Sequence, residues 1–152
     1  MAPFKLQIMP QRLAVARLDP HAEFPAWLPK EGFLSITRTA DELSIVVEDA
    51  LVPGNVTAET GWRMVKVLGP LDFSLVGVLA SLTGPLAAAG VSIFAVSTYD
   101  TDYLLVREAQ FMEALAAGSG AHHAGADLLQ PFGTQIAACT DDRTTPGRPA
   151  RV

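Results

Sequence analysis

FSLVGVLASLTGPLAAAGVSIFAVSTY, residues 73–99, carries no charged side chain, and the way it divides decides the fold. An apolar run of this length is long enough to cross a bilayer as one helix. Its pattern changes midway, however, and Thr83-Gly84-Pro85 and Ala89-Gly90 punctuate it. In the first half Leu75, Leu79, Leu82, Leu86 and Ala89 recur at alternating spacings of four and three, which traces one face of a helix. The second half, from Val91 to Tyr99, is β-branched and aromatic and includes Ser92, Ser97 and Thr98, which is strand composition. A buried helix followed by a central strand accounts for both halves better than a membrane span does.

Working outward, Met64, Val65, Val67 and Leu68 make a strand that stops at Gly69-Pro70. Asp72 or Ser74 is suited to cap the helix that follows, because either side chain can accept a hydrogen bond from its first free N–H groups. A kink or break is expected at Gly84-Pro85, and Gly90 supplies the left-handed residue that ends the helix. The strand Val91–Tyr99 turns at Asp100-Thr101 into a strand Asp102–Val106. Phe111, Met112 and Leu115 then mark a second helix, which fades into Gly118-Ser119-Gly120.

This order, strand-helix-strand-strand-helix, lacks one strand of a ferredoxin-like βαββαβ sandwich, an α+β fold with helices on one face of an antiparallel sheet. Beyond Gly125 only Asp127-Leu128-Leu129 and Gln135-Ile136-Ala137-Ala138 offer strand character, both weakly. The missing strand is therefore sought in the N-terminal half or in a partner chain.

The N-terminal half repeats the order. Phe4–Leu18 reads as one or two strands, with a break at Pro10-Gln11. A short helix is predicted from Ala22 to Leu28, and a hairpin pairs Phe33–Arg38 with Leu43–Val47 about a turn at Ala40-Asp41-Glu42. The looser connection from Val52 to Gly61 is the natural internal boundary. The expected organisation is a degenerate unit over 1–60, a second unit over 61–139 and a polar, Pro-containing disordered tail over 140–152.

Composition narrows the function. Hydrophobic residues are 49% of the 152 and charged residues only 18%, so a full core is available and further surface is expected to be buried between subunits. A net charge of -5 without any Lys/Arg cluster argues against nucleic acid and anionic membranes as partners. The single Cys139 cannot make an internal disulfide, and the opening MAPFKLQIMPQ lacks a signal peptide's long apolar region; both fit a cytoplasmic protein. No phosphate loop, dinucleotide fingerprint, nucleophile elbow or zinc-protease motif occurs. His21 and the adjacent His122-His123 lack conventional ligand spacing, and Cys139 has no activating neighbour in sequence. No catalytic residue, metal or cofactor is expected.

The segment Asp72-Phe73-Ser74-Leu75-Val76-Gly77 is different. It is a strand-to-helix turn, where free N–H groups and the helix dipole favour an anion such as a carboxylate, and Gly77 leaves room for close approach. The segment Val96–Asp102 adds hydroxyls and two carboxylates. Together they offer an anion site and a cation site, the two needs of a zwitterion. A plainer reading stands beside this one: Ser74 caps the helix, and Asp100 and Asp102 build a hairpin turn. The residues by themselves leave both open.

Gly69–Gly77, the helix ending Pro85–Gly90 and Ser97-Thr-Tyr-Asp-Thr-Asp-Tyr103 resemble the ACT-domain family, in particular its branch related to the CASTOR arginine sensors. Phe33–Ser44 and Gly61-Trp62-Arg63 are similar to the same branch, and the likeness covers roughly residues 4 to 117. It implies paired ACT units, an amino-acid ligand held between units, and regulation of another protein in place of chemistry. It places ligand contacts on Asp72, Ser74, Leu75, Val76, Gly77 and Val78, with Thr98, Tyr99 and Asp102 opposite, Asp102 being the acidic partner of a ligand cation. The chain departs from that branch at Asp72, where a small residue is usual, and in being half as long, so a homodimer is what would match a four-unit arrangement. Two other readings remain in view: an assembly module with a vestigial pocket, and a small enzyme using Asp100 and Asp102.

Overall fold

The computed structural model describes residues 6–68 and 77–120. Strands β1 (Leu6–Leu18), β2 (Leu34–Arg38), β3 (Leu43–Glu48) and β4 (Thr57–Val67) are followed by helix α1 (Val78–Ala88), strands β5 (Ile93–Ser97) and β6 (Asp102–Arg107) and helix α2 (Phe111–Gly120). Short 3-10 turns, Asp49–Leu51 and Glu108–Gln110, follow β3 and β6. The strands form one antiparallel sheet in the order β2-β3-β1-β4-β6-β5. The fold is α+β, an antiparallel sheet with two helices, as expected from the sequence.

The missing strand comes from the N-terminal half. Leu6, Gln7 and Ile8 of β1 pair with Val67, Lys66 and Val65 of β4, so β1-β4-β6-β5 completes the second unit. The converse also holds. Thr57, Ala58 and Glu59 of β4 pair with Arg17, Ala16 and Val15 of β1, and β4-β1-β3-β2 completes the first. Each long strand thus serves both halves.

Two bulges make this sharing possible. Between Ile8 and Arg12, β1 carries extra residues around Pro10, where the lost N–H is tolerated. The expected break at Pro10-Gln11 is an irregularity within one strand. Between Leu13 and Val15, β4 carries an extra residue at Gly61, whose φ of +73 suits glycine. The added residue shifts the alternation, so that Thr57 and Glu59 share a face with Trp62 and Met64.

One face is covered. Val65, Val67, Leu104 and Val106 pack under Val78, Leu82 and Leu86 of α1 and Phe111 and Ala114 of α2. Beside them Ala16, Leu43, Ile45 and Val47 are covered by Ala22, Trp27, Leu28, Val52 and Val56. The opposite face holds Leu13, Val46, Trp62, Met64 and Leu105. Phe33, next to β2, meets Tyr103 of β6 with ring centroids 5.1 Å apart. Four strand spacings would separate them by about 19 Å in a flat sheet. The sheet is therefore curled, and these side chains fill its concave side.

Several local expectations are corrected. Ala22–Leu28 is not a helix but two separate turns, closed by Ala22 N–H to Asp19 O and Leu28 N–H to Pro25 O. Pro25 has no N–H to give, and the carbonyls of Pro20 and Ala22 accept from the Arg38 guanidinium. Helix α1 runs unbroken through Gly84-Pro85, held by the burial of Val78, Leu82 and Leu86 on either side. The strand after α1 is an edge strand, not a central one, because β6 returns through a tight turn and inserts between β4 and β5. Met112 belongs to α2 as expected but points outward, 76% exposed.

Gly90 does end α1, at φ +72. Val91 N–H donates to Leu86 O at 2.9 Å and Gly90 N–H to Ala87 O at 3.0 Å, while Val91 and Leu86 pack in the same core. That is the Schellman arrangement with its hydrophobic contact. The expected tail over 140–152, His122, His123 and Cys139 lie outside the described residues.

Candidate functional site

Strands β4 and β5 run parallel, with the antiparallel β6 between them, and α1 is the crossover that joins them. The start of α1 and the β5–β6 turn consequently lie at the same end of the sheet. Asp102 sits opposite Ser97 in register and shares its face with Leu104 and Val106, which is the face α1 covers. Gly77, at the start of α1, and Asp102 are thus brought to one end of the sheet by topology alone.

The β5–β6 turn is closely tied. Thr98 N–H donates to Thr101 O at 2.9 Å, and the Thr98 hydroxyl donates to the same oxygen at 3.0 Å. Thr101 is the one buried polar residue among the described side chains, and its hydroxyl donates to Val67 O at the end of β4. Sequence reasoning passed over this residue, although a threonine among turn residues is a candidate for such an anchor. Ser97 Oγ donates to Asp102 Oδ1 at 2.6 Å. Tyr99 is 74% exposed at the tip of the turn.

At the other element Gly77 is left-handed, φ +80, immediately before α1. A Cβ placed there would meet nothing within 4 Å, so the backbone conformation, not space, is what calls for glycine. Ser81 N–H donates to Gly77 O at 2.9 Å, and the Ser81 hydroxyl to Val78 O at 2.8 Å. The Val78 side chain is buried in the core. Asp72, Ser74, Leu75 and Val76, with the capping role expected of Asp72 or Ser74, lie outside the described residues. Among the described residues no group of three or more His, Cys, Asp or Glu side chains is placed to hold a metal, and no helix is long and apolar enough to cross a membrane.

A second polar cluster lies at the centre of the sheet, on the helical face. Glu108 bridges Arg12 at 3.1 Å and Arg63 at 3.2 Å, and the Arg63 guanidinium lies 4.5 Å from the centroid of the Phe111 ring. The hydrogen bond from Arg12, joined by the charge of Arg63, holds the Glu108 carboxyl below the usual glutamate value. This cluster fastens the bulge of β1 to β4 and to the start of α2. Arg12 and Glu108 are exposed, whereas Arg63 is largely buried.

A family model described as ACT domain matches residues 57–117, and a second, of an N-terminal domain, matches residues 11–55. Residues 57–117 thus belong to the ACT-domain family. Over 81 residues it is 40% identical to the human protein named cytosolic arginine sensor for mTORC1 subunit 1, a match covering 51% of this chain and 23% of the sensor; the bovine protein matches equally. The match therefore spans less than a quarter of the length of these curated relatives.

Among solved structures, protein Atu0741 from Agrobacterium tumefaciens is 39% identical, with a TM-score of 0.74 over 82% of this chain and 98% of that one. The aspartate kinase of Clostridium acetobutylicum, at 14% identity and a TM-score of 0.59, covers 76% of this chain and 34% of the kinase. That likeness shows the shared ACT fold alone.

Proposed function

We propose that this chain is an amino-acid-responsive regulatory module and not an enzyme. It is read as two ACT-like units, divided near residue 60, that work as a cytoplasmic homodimer. Ligand is held between ACT units, and its binding shifts the dimer or its contact with a regulated protein. The arginine-sensor relatives and the ACT membership support the class of ligand. The observation that carries the reading is the placement of Asp102 on the helix-covered face at the end where α1 begins. A ligand ammonium would meet that carboxylate, and a ligand carboxylate would meet backbone N–H groups around Gly77 and Val78, where the helix dipole favours negative charge. Asp72, Ser74, Leu75, Val76, Thr98 and Tyr99 are proposed to complete the contacts. Differential affinity for two states of the assembly is the whole mechanism; no bond is made or broken.

A thermal-shift screen against the twenty amino acids tests this. A ligand at about 100 times its Kd stabilises a fold by roughly 2.7 kcal/mol, a shift that is easily read. The expected result is a selective response that Asp102→Lys abolishes. A flat response to all twenty at millimolar concentration would replace the sensor with an assembly module.

A further inference from the structure

The two hairpins of this chain provide an internal control for the hydrogen bond between Ser97 and Asp102. Both turns begin on a threonine whose N–H donates at 2.9 Å to the carbonyl three residues on, Thr39 to Glu42 and Thr98 to Thr101. Both close on a first cross-strand pair at the same register, Arg38 with Leu43 and Ser97 with Asp102. In the first hairpin that pair makes no polar bond of its own. Leu43 is wholly buried, and Arg38 reaches away to Pro20 O and Ala22 O. The turn forms all the same. A polar bridge at this position is therefore not a requirement of the hairpin, and its presence at Ser97 and Asp102 calls for another explanation.

We infer that Ser97 is a positioning residue for ligand recognition, holding the Asp102 carboxylate in place and adding a second acceptor for a primary ammonium group. The inference rests on the sensor reading above. An ionised carboxylate only accepts hydrogen bonds, so Ser97 must be the donor at 2.6 Å. That uses the hydroxyl's single proton. What the pair then presents is lone pairs only: the free Oδ2, the remainder of Oδ1 and those of Ser97 Oγ. Such a surface offers nothing to a carboxylate, an ether or a carbonyl. It suits a group with several N–H donors and a positive charge, and an ammonium, with three, can engage both side chains at once. Fixing the carboxylate before binding also removes the ordering cost that a free aspartate side chain would bring.

The test uses the full chain and titration calorimetry with each of the twenty L-amino acids, followed by the α-hydroxy acid matching the tightest binder. Ser97→Ala is expected to weaken the amino acid about tenfold or more, the loss of one charge-assisted contact. It should leave the thermal midpoint within a degree or so of the parent. Ser97→Thr, which keeps the hydroxyl, should restore affinity. The α-hydroxy acid, lacking the ammonium, should bind weakly and be indifferent to Ser97→Ala. If Asp102→Asn loses binding while Ser97→Ala binds as the parent does, the positioning role is overturned and the sensor reading stands. If Ser97→Ala lowers the thermal midpoint by several degrees with affinity unchanged, the hydroxyl is a strut of the hairpin and the inference falls. If the unmodified chain binds none of the twenty, the sensor reading falls and this inference with it.

Discussion

At β2–β3 the chain turns from Thr39 to Glu42 and runs into a six-residue strand and the 3-10 turn Asp49–Leu51; at β5–β6 it turns from Thr98 to Thr101 and runs into a six-residue strand and the 3-10 turn Glu108–Gln110. What surrounds the two hairpins differs. Over the first lies an irregular segment, 19–33, anchored by Ala22, Trp27 and Leu28. Over the second lies α1, a regular helix whose start faces the turn. Where the first hairpin buries Leu43, the second holds a half-exposed carboxylate, Asp102. The two hairpins share a backbone path, and a carboxylate stands in the second where the first buries an apolar side chain. Under the proposed reading, a ligand cation would meet the second hairpin and not the first.

The comparison can be broken at several levels. The largest effect should come from separating the halves. Because each long strand completes the opposite unit, fragments 1–56 and 57–152 should each give the narrow amide dispersion of an unfolded chain, and native dispersion should return on mixing. Two fragments that fold separately would show that the halves are independent. Next comes exchange of the paired positions. Leu43→Asp puts a charge where burial is complete and should cost at least about 3 kcal/mol by urea denaturation. Asp102→Leu, at a half-exposed site, should change stability by less than about 1 kcal/mol. Equal costs would mean that the two hairpins are not differently equipped after all.

Gly61 sharpens the comparison from the centre. It sits at the β4 bulge with open space around its Cα, so Gly61→Ala meets backbone strain alone and should cost about 1–2 kcal/mol. Gly54, in the connection between β3 and β4, also has open space around it but no positive φ, and substitution to alanine there should be close to neutral.

The smallest effect concerns the two acids that open the 3-10 turns, Asp49 and Glu108. Glu108 is held below the usual glutamate value, chiefly by the Arg12 hydrogen bond. A lowered value in the folded state means that the stabilisation is complete above the ordinary glutamate pKa of about 4.3. It is lost as pH falls through the lower, folded value. The urea midpoint of the parent should thus fall slightly more between pH 5 and pH 3 than that of Glu108→Gln, because the exposed pair is screened by solvent. Identical profiles would show that the bridge to Arg12 and Arg63 contributes nothing.

Much of this was legible in the sequence where the signal was local. Gly90 at a helix end and the alternation of Phe33–Arg38 against Leu43–Val47 each depend on neighbours within a few residues, and each formed as read; the second turn formed too, but β5 ends at Ser97, short of the expected Tyr99, and Thr98–Thr101 closes the turn. The absent fourth strand was legible as an absence, and the sheet order shows its source in β1. The misreadings arose where distant groups decide. The Ala22–Leu28 segment has helical composition, but Arg38, over ten residues away, takes its carbonyls. Pro85 reads as a breaker, yet core burial of residues on both sides of it keeps α1 whole. Gly77 and Asp102 are candidate ligand contacts through chemistry and resemblance. The Ser97 bridge and the Thr101 anchor to Val67 are cross-strand and inter-strand contacts that no linear spacing announces.

The interleaving of β1 and β4 also bears on how two copies of this chain can meet. A pair of chains that traded N-terminal halves would contain the same strand pairings and the same bulges as the closed chain. It would differ in the path of the connection from Asp49 to Val56, whose Val52 and Val56 cover the first-half core. The choice between them is set by chain concentration and by the ease of that short linker, and shortening it would drive exchange. Such an exchange would keep every strand pairing of the sheet.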